Sequence, residues 1–358
     1  MKEDFIKGKA KAELSVKENL IWKIAQLAVF AIGFGIVYSL IFYPNIGINL
    51  MWNILIPLAP LIIVVAVGLW RNICPLASFA LLPRTLDISK KKKLSKLTID
   101  KLNLIGVILL FTIVPFRHAM LDNNGPVTAM LLIGTAIFTF ILGLFYDWKS
   151  AWCGGLCPVY PVEKLYGVKN KLTFSNAHCT SCSNCLSSCP DSTPSINNYK
   201  SKNIYKKLSI IFLVGGLPGF IYGWFQVPDY YQFPTISQLI DIYKTPMLWA
   251  GVTTILYVIL KKFINEKQLI QLFATLAVSC YYWFRVPALF GFGIFPEDGK
   301  LIDLTHILPS WSIQTITITM TLFFFWWLFF TEQTKKTWMI RPVFEKKKER
   351  SSLLKRTC

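Results

Sequence analysis

Four cysteines stand close together in Cys179-x2-Cys182-x2-Cys185-x3-Cys189, and Pro190 follows at once. This is the spacing with which bacterial ferredoxins ligate a [4Fe–4S] cluster. A cubane presents its irons at tetrahedral corners, and cysteines three residues apart in a tight loop can aim three thiolates at three of them. The fourth, stopped by its proline, points away toward another cluster. Structural zinc prefers two separated pairs closing one tetrahedron, and disulfides are disfavoured in a reducing compartment. The spacing therefore favours iron–sulfur chemistry over both.

Two further segments match one another. Trp152-Cys153-Gly154-Gly155-Leu156-Cys157-Pro158 and Leu69-Trp70-Arg71-Asn72-Ile73-Cys74-Pro75 align on Cys-Pro, with Trp70 in the place of Cys153. They read as a degenerate internal repeat, in which a helical hairpin ends in a Cys-x3-Cys-Pro turn. Gly154 and Gly155 would let backbone N–H groups approach a cluster sulfur. A cluster on Cys179, Cys182 and Cys185 needs one remote thiolate, from Cys157 or Cys74. A second could draw on Cys189, Cys153 and whichever of that pair is left. Two cubanes call for one more ligand than these seven cysteines supply, and His178, Cys358, water or substrate are the candidates. The other reading is a single cluster with the remaining cysteines as remnants. Cys280 reads as a small buried hydrophobe.

The elements that must position these thiols are membrane helices. Apolar stretches near the ~20 residues needed to cross a bilayer fall at 20–43, 50–69, 103–117, 126–146, 208–226, 246–263, 268–285 and 308–330. The third is short and ends in Pro115, Arg117 and His118. The fifth holds Gly215, Gly216, Pro218 and Gly219, which predicts a kinked or broken span and would also suit a transporter's substrate site. The first reads as a retained helix rather than a signal peptide.

Charge then sets the orientation. Of 38 Lys and Arg, only Arg117, Lys244, Arg285 and Lys300 fall outside residues 1–23, 71–101, 149–207, 261–267 and 335–356. By the positive-inside rule both termini and the seven cysteines are cytoplasmic, in a bacterial-type inner membrane. The division is a tail at 1–19, four helices over 20–147 with a Cys-Pro turn at 70–75, and an iron–sulfur segment at 148–206. Four more helices over 207–331 and a basic tail at 332–358 complete it. The expected fold is an all-α polytopic membrane protein of about eight helices, with a small ferredoxin-like insertion in a cytoplasmic loop.

Composition agrees. Hydrophobic residues make up 54% and charged residues 16% of 358, and the mean hydropathy is +0.47. A nucleic-acid binder would be polar with its charge on one face, whereas the net charge of +19 is spread over five segments. Nine cysteines are too few for a disulfide scaffold of this length. No Ser/His/Asp set, phosphate loop or haem Cys-x-x-Cys-His is present, so no catalytic residue is assigned.

Cytoplasmic clusters lie ~30 Å of hydrocarbon from the outer face, too far for one tunnelling step. A relay, a quinone in the bilayer, or exchange confined to the cytoplasm is needed. His118, His306, Arg117 and Arg285 fall on the outer side as candidates for a quinone head group or a haem, haem being the weaker. The simpler reading makes them interfacial anchors. The runs Tyr281-Tyr282-Trp283-Phe284 and Phe323-Phe324-Phe325-Trp326-Trp327 read as lipid-facing or belt residues.

Cys-x3-Cys-Pro after a membrane hairpin, followed by the ferredoxin run, resembles the membrane-bound polyferredoxin proteins of the NapH and NosR type over residues 20–195. The resemblance implies cytoplasmic [4Fe–4S] clusters, one or two here. It also implies electron exchange between the quinone pool or a cytoplasmic donor and other membrane or periplasmic redox subunits, supporting a reductase of nitrogen oxides. The chain would then be the membrane subunit of a quinol dehydrogenase system. It departs from the pattern in having Trp70 for a cysteine, one ferredoxin run where two are usual, and four later spans without a cluster motif. No outer loop is long enough for a flavin domain. A redox sensor, or a maturation factor for a periplasmic metalloenzyme, is the alternative.

Overall fold

The computed structural model describes residues 15–147, 149–167, 172–178, 203–230, 234–331 and 339–340. Eight helices in it are long and apolar enough to cross a membrane, and the chain is a mostly helical, polytopic membrane protein. They correspond one to one with the apolar stretches of the sequence. Helix α1 (Val16–Phe42) starts on a capping box, in which Ser15 and Glu18 satisfy each other's backbone N–H. Only about a tenth of its most apolar window is covered by the rest of the chain; an apolar helix with so much exposed surface is stable in lipid.

The second span is longer than its apolar core suggests. It runs from α2 (Pro44–Ile48) through a wide, π-helical turn at Asn49–Leu55 into α3 (Ile56–Ile73). A break at Cys74 separates α3 from α4 (Pro75–Thr85), in which Pro75 takes the first-turn position where no N–H is needed. The sequence places residues 71–101 in a loop; instead α4 lies along α6 (Gly125–Phe145), with Ala77, Ala80 and Leu81 buried. Gly143 makes this fit, because a Cβ there would overlap the Ala80 carbonyl.

The third span is not short. Helix α5 (Lys96–Phe116) continues through Pro115 into a π-helical turn at Arg117–Leu121, which takes His118 into the span. Nor is the fifth span broken at its glycines. Helix α8 (Ile204–Ile210), a π-helical turn at Ile211–Gly215 and α9 (Gly216–Trp224) follow without interruption. The glycines serve close packing: a Cβ on Gly219 would overlap the Trp249 carbonyl, and one on Gly223 would lie 2.7 Å from Pro246 Cα. Both contacts are with α10 (Ile236–Leu260). The transporter reading loses its motive.

Helices α11 (Glu266–Leu289) and α12 (Ser310–Phe325) close the bundle. Their aromatic runs are not simply lipid-facing. Tyr282 and Phe324 are buried and stack with ring centres 5.1 Å apart, and the Tyr282 hydroxyl donates to the Pro57 carbonyl at 2.6 Å. Trp283 and Trp326 remain exposed, as expected of belt residues. A two-residue parallel pair, β1 (Phe174–Ser175) with β2 (Met339–Ile340), brings part of the C-terminal tail beside the segment that leads to Cys179.

Candidate iron–sulfur ligand site

Cys74, Cys153 and Cys157 come together at one end of the bundle, here the cysteine end. They share a packed cluster with Ala77, Ala80, Leu81 and Trp152. Helix α5 holds the second turn in place. Asn103 Nδ2 donates to the Gly154 carbonyl at 3.0 Å, and the missing Cβ of Gly106 admits the Leu156 and Cys157 carbonyls, at 3.0 and 3.3 Å from where it would be.

The two Cys-Pro turns are built alike. Each cysteine precedes a proline that opens a short helix, α4 in one case and α7 (Val159–Tyr166) in the other. Backbone N–H groups of Leu76 and Ala77 approach the Cys74 sulfur, and those of Val159 and Tyr160 the Cys157 sulfur. The two turns thus present N–H groups to sulfur in the same way. N–H donors aimed at sulfur stabilise a thiolate and tune a cluster bound to it.

Trp70, standing where the repeat would have a cysteine, donates through Nε1 to Glu163 Oε1 at 2.9 Å. Arg71 pairs with the other Glu163 oxygen, and both side chains are buried. On the elements that carry the thiols, Arg71, Lys149, Lys164, Asp147 and Glu163 are all buried, and Arg84 pairs with Asp147 at 3.2 Å. Burial pushes the Cys153 thiol well up and that of Cys157 up to about 12, so both hold their protons until a metal displaces them.

Among the described residues no three His, Cys, Asp or Glu side chains converge closely enough for a single metal ion. Cys179, Cys182, Cys185, Cys189 and Cys358 lie outside the described residues, and with them the ferredoxin-like insertion. The segment leading to Cys179 is described. Asn72, fully buried, donates to the Ser175 carbonyl at 2.9 Å and accepts the Ala177 N–H at 3.0 Å. His178 Nε2 lies 3.2 Å from the Arg71 carbonyl. Nothing in the sequence singles out Asn72 or Glu163, each of which stands beside a basic residue, Arg71 and Lys164.

At the far end the structure joins three of the four outer candidates. Arg117, His118 and Arg285 are 5%, 4% and 3% exposed, so the reading as interfacial anchors is wrong for them. His118 Nδ1 lies 2.5 Å from Asp229 Oδ1 and Nε2 lies 3.0 Å from the Trp224 carbonyl. Arg117 is held by both Asp122 oxygens at 3.0 and 3.2 Å and lies over the Trp52 and Trp224 rings. His306 is exposed and lines no part of this group. Asp122 and Asp229, which complete it, fall in connecting segments where a lone carboxylate carries no sequence signal. Gly106 packs on the Cys157 turn, and His118 follows twelve residues later along the α5 span, about 18 Å away at helical rise.

Comparison with known protein families, curated proteins and solved structures finds no match.

Proposed function

We propose that this chain is a membrane electron-transfer protein holding one or two [4Fe–4S] clusters at its cysteine end. Cys74, Cys153 and Cys157 are ligands there, together with Cys179, Cys182, Cys185 and Cys189. A cluster supplies reversible one-electron storage when bound. The chain's own residues exclude water with Ala77, Ala80, Leu81 and Trp152, and direct N–H groups at two of the sulfurs. Arg71 provides compensating positive charge. Electrons pass to and from a quinone or a soluble carrier; with both termini and the cysteine end cytoplasmic, that carrier is cytoplasmic.

The observation that carries this reading is the convergence of three thiols from two separate Cys-Pro turns in a buried setting. The Asn72 contacts support it by bringing residues 175–178, immediately before Cys179, to the same turn. Anaerobically purified protein should contain about four or eight irons with matching sulfide per chain, and C153S and C157S should each lower that content. Stoichiometric zinc without iron would overturn the proposal.

A further inference from the structure

The last carbonyls of a membrane helix have no partner within it and must find one where the helix leaves the hydrocarbon. At the end of α6 a lysine run takes them. The Lys90 N–H donates to the Leu144 carbonyl at 2.7 Å and the Lys92 N–H to that of Phe145 at 3.1 Å, while the Lys92 carbonyl accepts the Asp147 N–H at 2.8 Å. Pro83 of α4 anchors the approach, accepting the Ile88 and Ser89 N–H groups at 3.0 and 3.1 Å. Ser89 Oγ donates to the Gly143 carbonyl at 2.6 Å. Residues 88–92 therefore form a ledge fixed to two helices. A topology signal needs only the charges of this run; it does not need their backbone to cap a span.

The fixed backbone sorts the amines. Lys91, at φ 53°, turns back to pair with Asp87 at 2.6 Å, and the Lys90 amine lies 5.0 Å from the centre of the Phe145 ring. Lys92, Lys93 and Lys96 are exposed and make no ion pair among the described residues. The neighbouring carboxylates are already engaged. Asp87 holds Lys91, Asp147 pairs with Arg84 at 3.2 Å, and Asp100 is buried and accepts from Asn203 at 2.9 Å. Large apolar side chains border the ledge as well: Leu86, Ile88 and Phe145 are exposed. Exposed cations beside exposed apolar groups, at the end of a membrane span, suit a molecule that carries both a phosphate and an acyl chain.

We propose that this ledge binds an anionic phospholipid. Lys92, Lys93 and Lys96 hold its headgroup, and its acyl chains lie against Leu86, Ile88 and Phe145. A soluble phosphate would use the lysines alone and leave the apolar border in water, whereas a lipid covers both.

The test is native mass spectrometry of the purified full chain in detergent, titrated with phosphatidylglycerol or with phosphatidylcholine of the same acyl chains. Phosphatidylglycerol should bind saturably and about tenfold or more tighter, and K92Q and K93Q should each weaken it about fivefold, as expected for one lysine at an anionic headgroup. K262Q, the same charge change in the exposed turn between α10 and α11, should leave binding unchanged. Millimolar inorganic phosphate should not displace the lipid. Equal affinity for the two lipids would overturn the proposal, as would unchanged binding in both K92Q and K93Q. So would an equal loss in K262Q, which would make the attraction diffuse, or displacement by phosphate, which would make the lysines a site for a soluble anion. No cysteine takes part, so failure here leaves the iron–sulfur proposal standing.

Discussion

The Asn72 side chain holds Ala177 by its backbone, accepting that residue's N–H at 3.0 Å two positions before Cys179. With the 2.9 Å bond to the Ser175 carbonyl, one fully buried amide fastens the cysteine-run segment to the break between α3 and α4. Gln26 Nε2 in turn donates to the Asn72 carbonyl at 2.9 Å, so α1 braces the same point. N72A removes two hydrogen bonds and leaves their buried partners unmet, at a cost of about 2–4 kcal/mol. Limited proteolysis should then cut within residues 168–202 at lower protease concentration, while membrane insertion is unchanged. Equal proteolysis of variant and wild type would show that the segment is held elsewhere.

Glu163 serves Trp70 and Arg71 together. E163Q removes a carboxylate from the buried Arg71 guanidinium and weakens the acceptor of Trp70, which should destabilise the protein by about 3–5 kcal/mol. Replacing both partners with apolar residues of similar volume, as in R71M with E163M, should cost less than E163Q alone. Denaturation of the two single variants and the double variant measures the coupling; additive costs would mean the pair contributes nothing beyond its separate contacts.

The sequence shows the span count because it depends on a sum over many residues. Twenty apolar side chains outweigh any local exception. It misplaces the ends of α3 and α5 because those depend on single contacts. Cys74 interrupts a helix that the apolar pattern simply ends, and α5 runs on past Pro115 into a π-helical turn. The cysteines could be found by spacing alone. Glu163, Asn72, Asp122 and Asp229 could not, since each matters through a partner some 5 to 111 positions away.

The glycines give a prediction with an internal control. An added methyl at Gly219 would overlap the Trp249 carbonyl and one at Gly143 the Ala80 carbonyl, backbone atoms that cannot step aside. G219A and G143A should each cost about 1–3 kcal/mol or more by forcing helices apart. A methyl at Gly33 or Gly134 meets nothing within 4 Å, so G33A and G134A should be neutral or stabilise by up to about 1 kcal/mol. Thermal midpoints of the four variants test this. Equal losses at all four would argue that helix propensity, rather than contact, governs these sites.

Burial first, then the nearby Asp122 and Asp298 carboxylates, raise the Asp229 carboxyl from 3.8 to about 6, and the facing His118 only partly offsets this. Arg117 and Arg285 complete the charged groups around it. In the unfolded chain Asp229 releases its proton near 3.8, so between about pH 4 and 6 the folded form binds more protons than the unfolded one. Stability from this group is complete below that window and is lost as pH rises through about 6. D229N carries no titrating proton, retains a polar partner for His118, and should remove that part of the slope. Urea midpoints measured across this range in wild type and D229N would show two curves that diverge toward the acid side and run parallel above pH 6. Parallel curves throughout would mean that Asp229 titrates alike in both states, and that its burial beside His118 is already compensated.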